Sequence, residues 1–379
     1  MKEGWEYKTL GEICKIYNGN SINADYKKKH FLGATGGLPF IATKDVSPLG
    51  TIDYKNGVRI PNYEEFKVAP ANSVFICAEG GSAGKKFAYV EKDVCFGNKL
   101  FCITPKDKAI TGKFIYNFVQ SDNFRGQFFS LLTGLIGGVS AKKFQTIEIP
   151  VPSLSEQQSI VDYLDSAFAK IDAMKANAEK ALNETKALFQ ASLKEMLEPK
   201  EGWEEKTLPE ISENLDSIRK PVTKGKRTAG IYPYYGASGI VDYVDDYLFD
   251  EDLLCISEDG ANLLMRTYPI AFPISGKVWV NNHAHVLRFK SIITQKYVEY
   301  YFSGMKLDEY ITGAAQPKLT QKALNNIIIN LPSTLDTQQS IVATLDSLKS
   351  KVDRLQANFE KISQECNALK QAILRQVFE

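Results

Sequence analysis

Long apolar runs are missing from this chain. No window approaches eighteen uncharged apolar residues, and the start, Met1-Lys2-Glu3-Gly4-Trp5, lacks the apolar core of a secretory leader. A protein acting in the cytoplasm, with no membrane span, is expected. Cysteine is sparse: the six residues Cys14, Cys77, Cys95, Cys102, Cys255 and Cys366 form no C-x-x-C pair and no paired Cys/His spacing, which excludes a disulfide framework and a zinc knuckle. Catalytic motifs are missing too. The stretch from Glu79 to Lys86 only brushes against a phosphate loop, with Glu79 where a glycine is required and Lys86 where a Ser or Thr must hold magnesium. Asp53-Tyr54-Lys55 has no upstream Pro-Asp to complete a nuclease metal site, and His283-x-His285 has no third His or Cys nearby. There is no Gly-x-Ser-x-Gly and no Gly-x-Gly-x-x-Gly. No catalytic residue, metal ligand or resident cofactor is therefore assigned, and any reaction must be supplied by a partner.

Charge of one sign is also lacking, since 46 Lys and Arg stand against 45 Asp and Glu. The balance is uneven along the chain: residues 1–152 carry 20 basic and 14 acidic side chains, whereas residues 201–332 carry 14 and 17. Only the first block has the excess that suits a polyanion.

What is present is a repeat. Gly4-Trp5-Glu6-Tyr7-Lys8-Thr9-Leu10-Gly11-Glu12-Ile13 returns as Gly202-Trp203-Glu204-Glu205-Lys206-Thr207-Leu208-Pro209-Glu210-Ile211, an offset of 198. Ile149-Pro150-Val151-Pro152-Ser153 and Gln157-Gln158-Ser159-Ile160-Val161 return as Ile329-Asn330-Leu331-Pro332-Ser333 and Gln338-Gln339-Ser340-Ile341-Val342, at offsets of 180 and 181. The flanks are constant and the interiors differ in length, with fragments such as Thr133-Gly134 against Thr312-Gly313 aligning between them. Four segments follow: 1–152, 153–200, 201–332 and 333–379.

The second and fourth segments read as long helices, free of Gly and Pro over 156–197 and from 338 onward, with Ser155 and Gln158 fitting a capping box. Their apolar positions alternate steps of four and three. In the first they are Ile160, Leu164, Ala167, Ile171, Met174, Ala178, Ala181, Thr185, Leu188 and Ser192; in the second, Ile341, Leu345, Leu348, Val352, Leu355, Phe359, Ile362, Cys366, Leu369 and Ile373. That is a coiled-coil seam. The two predict an antiparallel pair, with the small residues of the first seam opposite the bulky ones of the second. The interiors read as strands mixed with some helix: apolar runs at 73–77, 87–90 and 252–256, and helical stretches at 113–129 and 293–305. The fold class expected is α+β, two mixed α/β domains joined by two long helices in an antiparallel coiled coil with internal pseudo-two-fold symmetry.

This layout resembles the specificity subunit of type I restriction–modification systems. The resemblance rests on the repeated openings and closings and on the string Gly276-Lys277-Val278-Trp279-Val280-Asn281-Asn282-His283-Ala284-His285-Val286-Leu287, and more weakly on Gly81-Ser82-Ala83-Gly84-Lys85 and Asn98-Lys99. It implies that each interior is a target recognition domain reading half of a split site in double-stranded DNA. It further implies that the helices set the spacer and dock two methyltransferase subunits, and that nuclease/translocase subunits join them. S-adenosylmethionine, ATP and magnesium would sit on those partners. Phosphate contacts are then expected from the densest basic patches, Lys27, Lys28 and Lys29 in the first interior and Arg219, Lys220, Lys224, Lys226 and Arg227 in the second, with Lys85, Lys86 and Lys277 behind them. The alternative from another class is a coiled-coil scaffold bearing two protein-binding domains.

Overall fold

Each repeated opening is a capping box. In the computed structural model, which describes residues 4–133, 137–313 and 316–379, the Thr9 N–H and hydroxyl donate to the Glu12 carboxylate at 2.6 and 2.9 Å, starting the single turn Leu10–Ile13. Thr207 and Glu210 do the same at 2.6 and 2.7 Å. Leu10 and Leu208, one residue on, are buried. Just upstream, Glu6–Thr9 pairs antiparallel with Glu148–Val151, and Trp203–Thr207 with Ile328–Pro332. The repeated openings and closings are thus the two strands of one ribbon, and the chain enters and leaves each domain side by side. Met1, Lys2, Glu3 and Gly134 lie outside the described residues.

Inside the ribbon the two domains share a strand order that their sequences do not display. In the first, Cys14–Asn18, Leu100–Pro105, Ser73–Cys77 and Phe87–Val90 form an antiparallel sheet, and Arg59–Ile60, Leu38–Ile41, Val94–Phe96 and Val68–Ala69 form another, in which Leu38–Ile41 runs parallel to Val94–Phe96. The second domain repeats this with Ser212–Asn214, Ala284–Phe289, Leu253–Ser257 and Ala271–Ile274, and with Gly239–Val244, Ala229–Gly236, Lys277–Val280 and Phe249–Asp250. The strands expected at 73–77, 87–90 and 252–256 are present to within a residue. The expected first helix is two, Gly112–Phe118 and Asp122–Ser130, and the second is Ile292–Gly304.

Strand Ser73–Cys77 is buried on both faces, which explains its unbroken apolar run. Val74 and Ile76 join a core with Phe114, Phe118, Phe124, Phe128 and Phe144, whereas Phe75 and Cys77 face Ile41, Val94 and Phe96 of the other sheet. Leu254 and Ile256 against Leu253 and Cys255 divide in the same way. All six cysteines are free and buried, and burial pushes the Cys95 thiol up to about 11.

The long helices are Leu154–Leu197 and Leu335–Phe378, 44 residues each. Their caps are Ser153, whose hydroxyl accepts the Glu156 N–H, and Thr334, whose hydroxyl accepts that of Thr337. The expected cap at Ser155 is therefore two residues late. Within each repeated Gln-Gln the first glutamine is buried. The Gln157 amide accepts from Thr111 N and donates to the carbonyls of Ala109 and Pro152, at 3.1, 2.9 and 3.0 Å; Gln338 accepts from the Thr294 hydroxyl and donates to the Pro332 carbonyl, both at 2.8 Å. No helix among the described residues is long and apolar enough to cross a membrane.

The chain forms two compact units, residues 1–178 with 360–379, and residues 179–359, so each contains half of both helices. In the first unit Leu164 clusters with Leu374 and Val377, the Cys366 thiol reaches the Ile171 carbonyl, and Lys370 pairs with Asp172 at 2.7 Å. In the second, Lys186 meets Gln356, Leu193 and Leu197 cluster with Val342 and Leu345, and Asp346 accepts from Lys296 and Tyr300 at 2.9 and 2.6 Å. In each unit the helices run antiparallel, as expected.

The seam itself needs correction. Leu164, Ile171 and Leu345 are buried, and Ile160, Ile341, Leu348, Val352, Leu355, Phe359, Ile362 and Ile373 are half-buried, but Met174, Leu188 and Leu369 are 60, 56 and 48% exposed. From Leu164 a 3.5-residue period permits a step of either three or four. Ala167 and Phe168 are both half-buried, and beyond Ile171 the structure takes four first, through Lys175, Leu182 and Phe189 instead of Met174, Ala181 and Leu188. The first seam consequently carries the buried Leu182 and half-buried Phe189 beside the half-buried Ala178, Thr185 and Ser192. Leu182→Ala should cost about 2–4 kcal/mol and Leu188→Ala less than about 0.5 kcal/mol. Urea unfolding of both variants measures this, and equal losses would contradict the observed seam.

Candidate nucleic-acid interface

The parallel strands Leu38–Ile41 and Val94–Phe96 end together, so the residues that follow them, Ala42-Thr43-Lys44 and Gly97-Asn98-Lys99, emerge side by side. The Gly97 N–H donates to the Ile41 carbonyl at 2.9 Å. Asn20 ties in a third segment, donating its N–H to Phe96 O at 2.8 Å and accepting from Asn98 N at 3.2 Å. Gly19 permits this approach, because a Cβ there would stand 1.9 Å from the Phe96 oxygen.

These segments line a groove of about 200 Å³ with Asn20, Lys27, Thr43, Lys44, Asn98 and Lys99 on its walls. Lys27 reaches it from the helix Ala24–His30, its ammonium 5.5 Å from the Phe40 ring centre. Lys86 donates to the Thr43 carbonyl at 3.0 Å and adds a fourth ammonium, and Glu79, 3.7 Å from Lys99, is the nearby counter-charge. Asn98 is exposed while its carbonyl is fixed by Asn18 Nδ2 at 2.8 Å. Asn20 is half-buried, its Oδ1 accepting from the Lys67 N–H at 2.7 Å, so the exposed amide is that of Asn98, and cationic side chains around it suit a phosphate backbone and a base edge together. Lys28 and Lys29 are exposed on the same short helix, and Lys85, next to Lys86 in sequence, is also exposed.

The second domain brings the equivalent segments together. Gly236-Ala237-Ser238 and Asn281-Asn282-His283 leave the parallel pair, joined by Asn281 N to Tyr235 O at 3.1 Å, and Lys220 replaces Asn20, its N–H donating to Val280 O at 3.4 Å. Beneath them lies an ionic network where the first domain is largely apolar. Arg219 pairs with Asp216 and Glu258 at 3.1 and 2.6 Å, His285 Nδ1 lies 2.6 Å from Asp216, its Nε2 donates to Leu319 O at 2.8 Å, and Lys318 reaches Glu258 at 3.1 Å. Burial alone would raise the carboxyls of Asp216 and Glu258. Taken together, the hydrogen bonds and charges of His285, the Val286 N–H and Arg219 around Asp216, and of Arg219, His285 and Lys318 around Glu258, outweigh it and hold both below their ordinary values. Asp216, Glu258 and His285 have ligand atoms within 4.8 Å of one another, but the guanidinium and ammonium already supply the positive charge that a cation would bring.

Two expected phosphate contacts are therefore corrected. Arg219 has a side chain only 11% exposed and is consumed by this network. Arg227 is held between Asp242, at 2.9 Å, and the Tyr234 ring, 4.2 Å from its guanidinium carbon, and it clasps the Val222 carbonyl. Lys224 and Lys226 are exposed in the connection that corresponds to helix Ala24–His30. Lys277 sits at the far end of strand Lys277–Val280 from Asn281, over the Tyr247 ring at 4.7 Å, and does not converge with Lys220. Sequence reasoning missed Lys44, Asn20 and Lys318. Only Asn98-Lys99 and Asn282-His283, at corresponding turns, left a trace.

Comparison with known proteins agrees with this repeated layout. The profile of the family described as type I restriction modification DNA specificity domain matches residues 2–184 and again 200–364. The chain belongs to this family. It is 24% identical to the type I restriction enzyme EcoprrI specificity subunit of Escherichia coli, over 96% of this chain and 92% of that one. Its match to the EcoKI specificity subunit of Escherichia coli K12 is 28% identical but spans 51% of this chain and 42% of that protein, and the StySPI subunit of Salmonella potsdam matches over the same shares. Thus the chain spans about two fifths of the length of several of its curated relatives. Among solved structures, a chain from a study of complex assembly and conformational transition of the type I R-M system superposes with a TM-score of 0.77 at 18% identity, covering 100% of this chain and 98% of that one. The HsdS subunit from Thermoanaerobacter tengcongensis gives 0.59 at 19%, over 100% and 97%. These likenesses establish the fold.

The network makes the second domain of this specificity-family chain acid-sensitive. Asp216 and Glu258, held below their ordinary 3.8 and 4.5, stabilise the fold at neutral pH, and that contribution is lost as pH falls below about 4. Arg219→Ala should destabilise the second domain by about 3–5 kcal/mol at pH 7. Acid titration followed by tryptophan fluorescence, with Trp203 and Trp279 in this domain, checks both. A variant as stable as wild type would return Arg219 to the surface role first expected.

Proposed function

We propose that the chain is the DNA-recognition subunit of a type I restriction–modification complex and is itself non-catalytic. Each domain reads one half of a bipartite site in double-stranded DNA. The two long helices set the spacer and dock two methyltransferase subunits, and nuclease/translocase subunits complete the assembly in the cytoplasm. S-adenosylmethionine, ATP and magnesium belong to those partners. The observation that carries this reading is the convergence of Lys27, Lys44 and Lys99 on one groove with the exposed amide of Asn98, Lys86 bonded to its wall at the Thr43 carbonyl, at a strand-end cluster that recurs in the second domain. A scaffold with two protein-binding domains gives no reason for that convergence.

The test is salt-dependent binding to duplex DNA carrying the motif found by methylation-sensitive sequencing. Lys44→Gln with Lys99→Gln should weaken binding and reduce the slope of log affinity against log salt by about two. A wild-type chain with no salt-dependent affinity sinks the reading.

The ribbons make a second expectation sharper. Residues 10–147 lie inside the first ribbon, so their replacement by the interior of another family member should change one half-site and leave the other half-site and the spacer untouched. Sequencing of methylated sites reads this directly, and a change in both half-sites would rule out independent domains.

A further inference from the structure

The two domains differ in one turn beside the candidate interface. Strands Ser73–Cys77 and Phe87–Val90 are joined by residues 78–86, whereas their counterparts Leu253–Ser257 and Ala271–Ile274 are joined by residues 258–270, four residues more. The shorter turn holds Gly80, Gly81 and Gly84 and no large apolar side chain. The longer one displays Leu264, Met265 and Tyr268, which are 53, 72 and 59% exposed.

Such exposure in a floppy loop would mean little, but this turn is fixed at every point. Leu263 is buried beneath it. Asn262 Nδ2 donates to the Tyr268 carbonyl at 3.0 Å and Asn262 Oδ1 accepts the Tyr268 N–H at 2.9 Å, closing the ends on each other. Arg266 adopts the left-handed conformation at φ 49°, unfavourable for a side chain with a Cβ, and its guanidinium donates to the carbonyls of Phe302 and Met305 at 3.0 and 2.5 Å. An unfavourable backbone and a buried anchor are thus maintained around apolar groups that face outward.

The same turn is continuous with the candidate interface. Asp259, at its start, holds His283 Nδ1 at 2.8 Å, and Gly260 N donates to Pro317 O beside Lys318. The turn that displays the apolar groups therefore starts within the loop cluster that also presents Lys220, Asn282 and Lys318.

We propose that the turn 262–268 is an apolar wedge, in which Leu264 and Met265, supported by Tyr268, pack against a base step of the half-site read by the second domain and unstack it. Apolar side chains that insert between bases work in this way, offsetting the unstacking with the contacts made along the bent duplex. A rigid support is what such an insertion requires, since a mobile loop would yield before the stack does. The inference rests on the DNA-recognition reading above, and it makes the half-sites unlike in mechanism, because the counterpart turn of the first domain, residues 78–86, carries no large apolar side chain.

The experiment uses the full chain and a duplex bearing its motif, with 2-aminopurine placed in turn through each half-site and a donor–acceptor dye pair at the duplex ends. Wild type should raise 2-aminopurine fluorescence at one step of the second half-site and at none of the first, and should shorten the end-to-end distance. Leu264→Ser with Met265→Ser should abolish both signals and weaken binding about tenfold or more, while leaving the salt slope unchanged because no phosphate contact is lost. Both side chains are exposed, so the thermal unfolding temperature should not move. If wild type binds with its salt dependence but neither unstacks nor bends the duplex, or if the double variant matches wild type in affinity and signal, the wedge is wrong and the recognition reading stands. If wild type shows no salt-dependent binding at all, the recognition reading falls and the wedge falls with it.

Discussion

Closure of each domain at its own two ends is the constraint on which the rest depends. A domain inserted into a helical frame must enter and leave at one place, and here that place is the two-stranded ribbon, capped by Thr9–Glu12 or Thr207–Glu210 and anchored by a buried glutamine. Gln157 and Gln338 are almost wholly enclosed, and an enclosed amide is tolerable only when its partners are in position. Each partner comes from a different part of the domain: the proline that ends the closing strand and the start of the helix that covers the sheet. Strand, sheet-covering helix and long helix are therefore set by one side chain. The cap, the ribbon and the proline lie in the flanks, and of the interior the glutamine asks only Ala109 and Thr111 in one domain and Thr294 in the other, so the rest of the interior is free to vary while the flanks repeat.

The divergence of the middles is chemical more than architectural. Phe101 occupies the strand position that His285 takes in the second domain, and Ala78 and Gly138 stand where Glu258 and Lys318 stand. One domain builds the floor of its loop cluster from apolar packing and the other from a nearly enclosed ionic network. Such a network contributes little net stability compared with apolar groups, but removal of any member leaves a charge without its partner. It holds the segments of Arg219, Glu258 and Leu319 to one another, and those are the segments that present Lys220, Asp259 and Lys318.

The repeats, the long helices, the three strands at 73–77, 87–90 and 252–256 and the antiparallel pairing were legible in the sequence, because each leaves a local signature: a capping box, a 3.5-residue period, an apolar run between glycines. What was not legible is what depends on partners distant along the chain. Arg219 and Arg227 look like members of a basic patch until Glu258, 39 residues away, and Asp242, 15 residues away, are seen to neutralise them. Lys44 and Asn20 belong to no run and are brought to the groove only by the parallel strand pair. The seam failed for a subtler reason. Leu164, Ile171, Ala178 and Thr185 are common to both choices of step, and Met174 outranks Lys175 on hydrophobicity alone, although a lysine stem packs well along an apolar surface with its ammonium in water.

Charge completes the contrast between the domains. The first segment holds six more basic than acidic side chains and the second domain three more acidic than basic. Long-range attraction to a polyanion is therefore concentrated in the first, where three lysines line a groove and a fourth bonds to its wall. The second cannot rely on its overall field, and its acidic side chains at Asp242, Glu251 and Asp216 are paired off by Arg227, Arg288 and Arg219, which mutes repulsion without producing attraction. Any hold it has on DNA must come from short-range contacts: Lys220, Lys318 and the amide of Asn282 for polar groups, and a rigid apolar turn for bases. On the proposed reading, a basic domain that finds the duplex and a near-neutral one that inspects it at contact range divide between them what a single strongly basic surface would do with less discrimination, since phosphate attraction is blind to sequence.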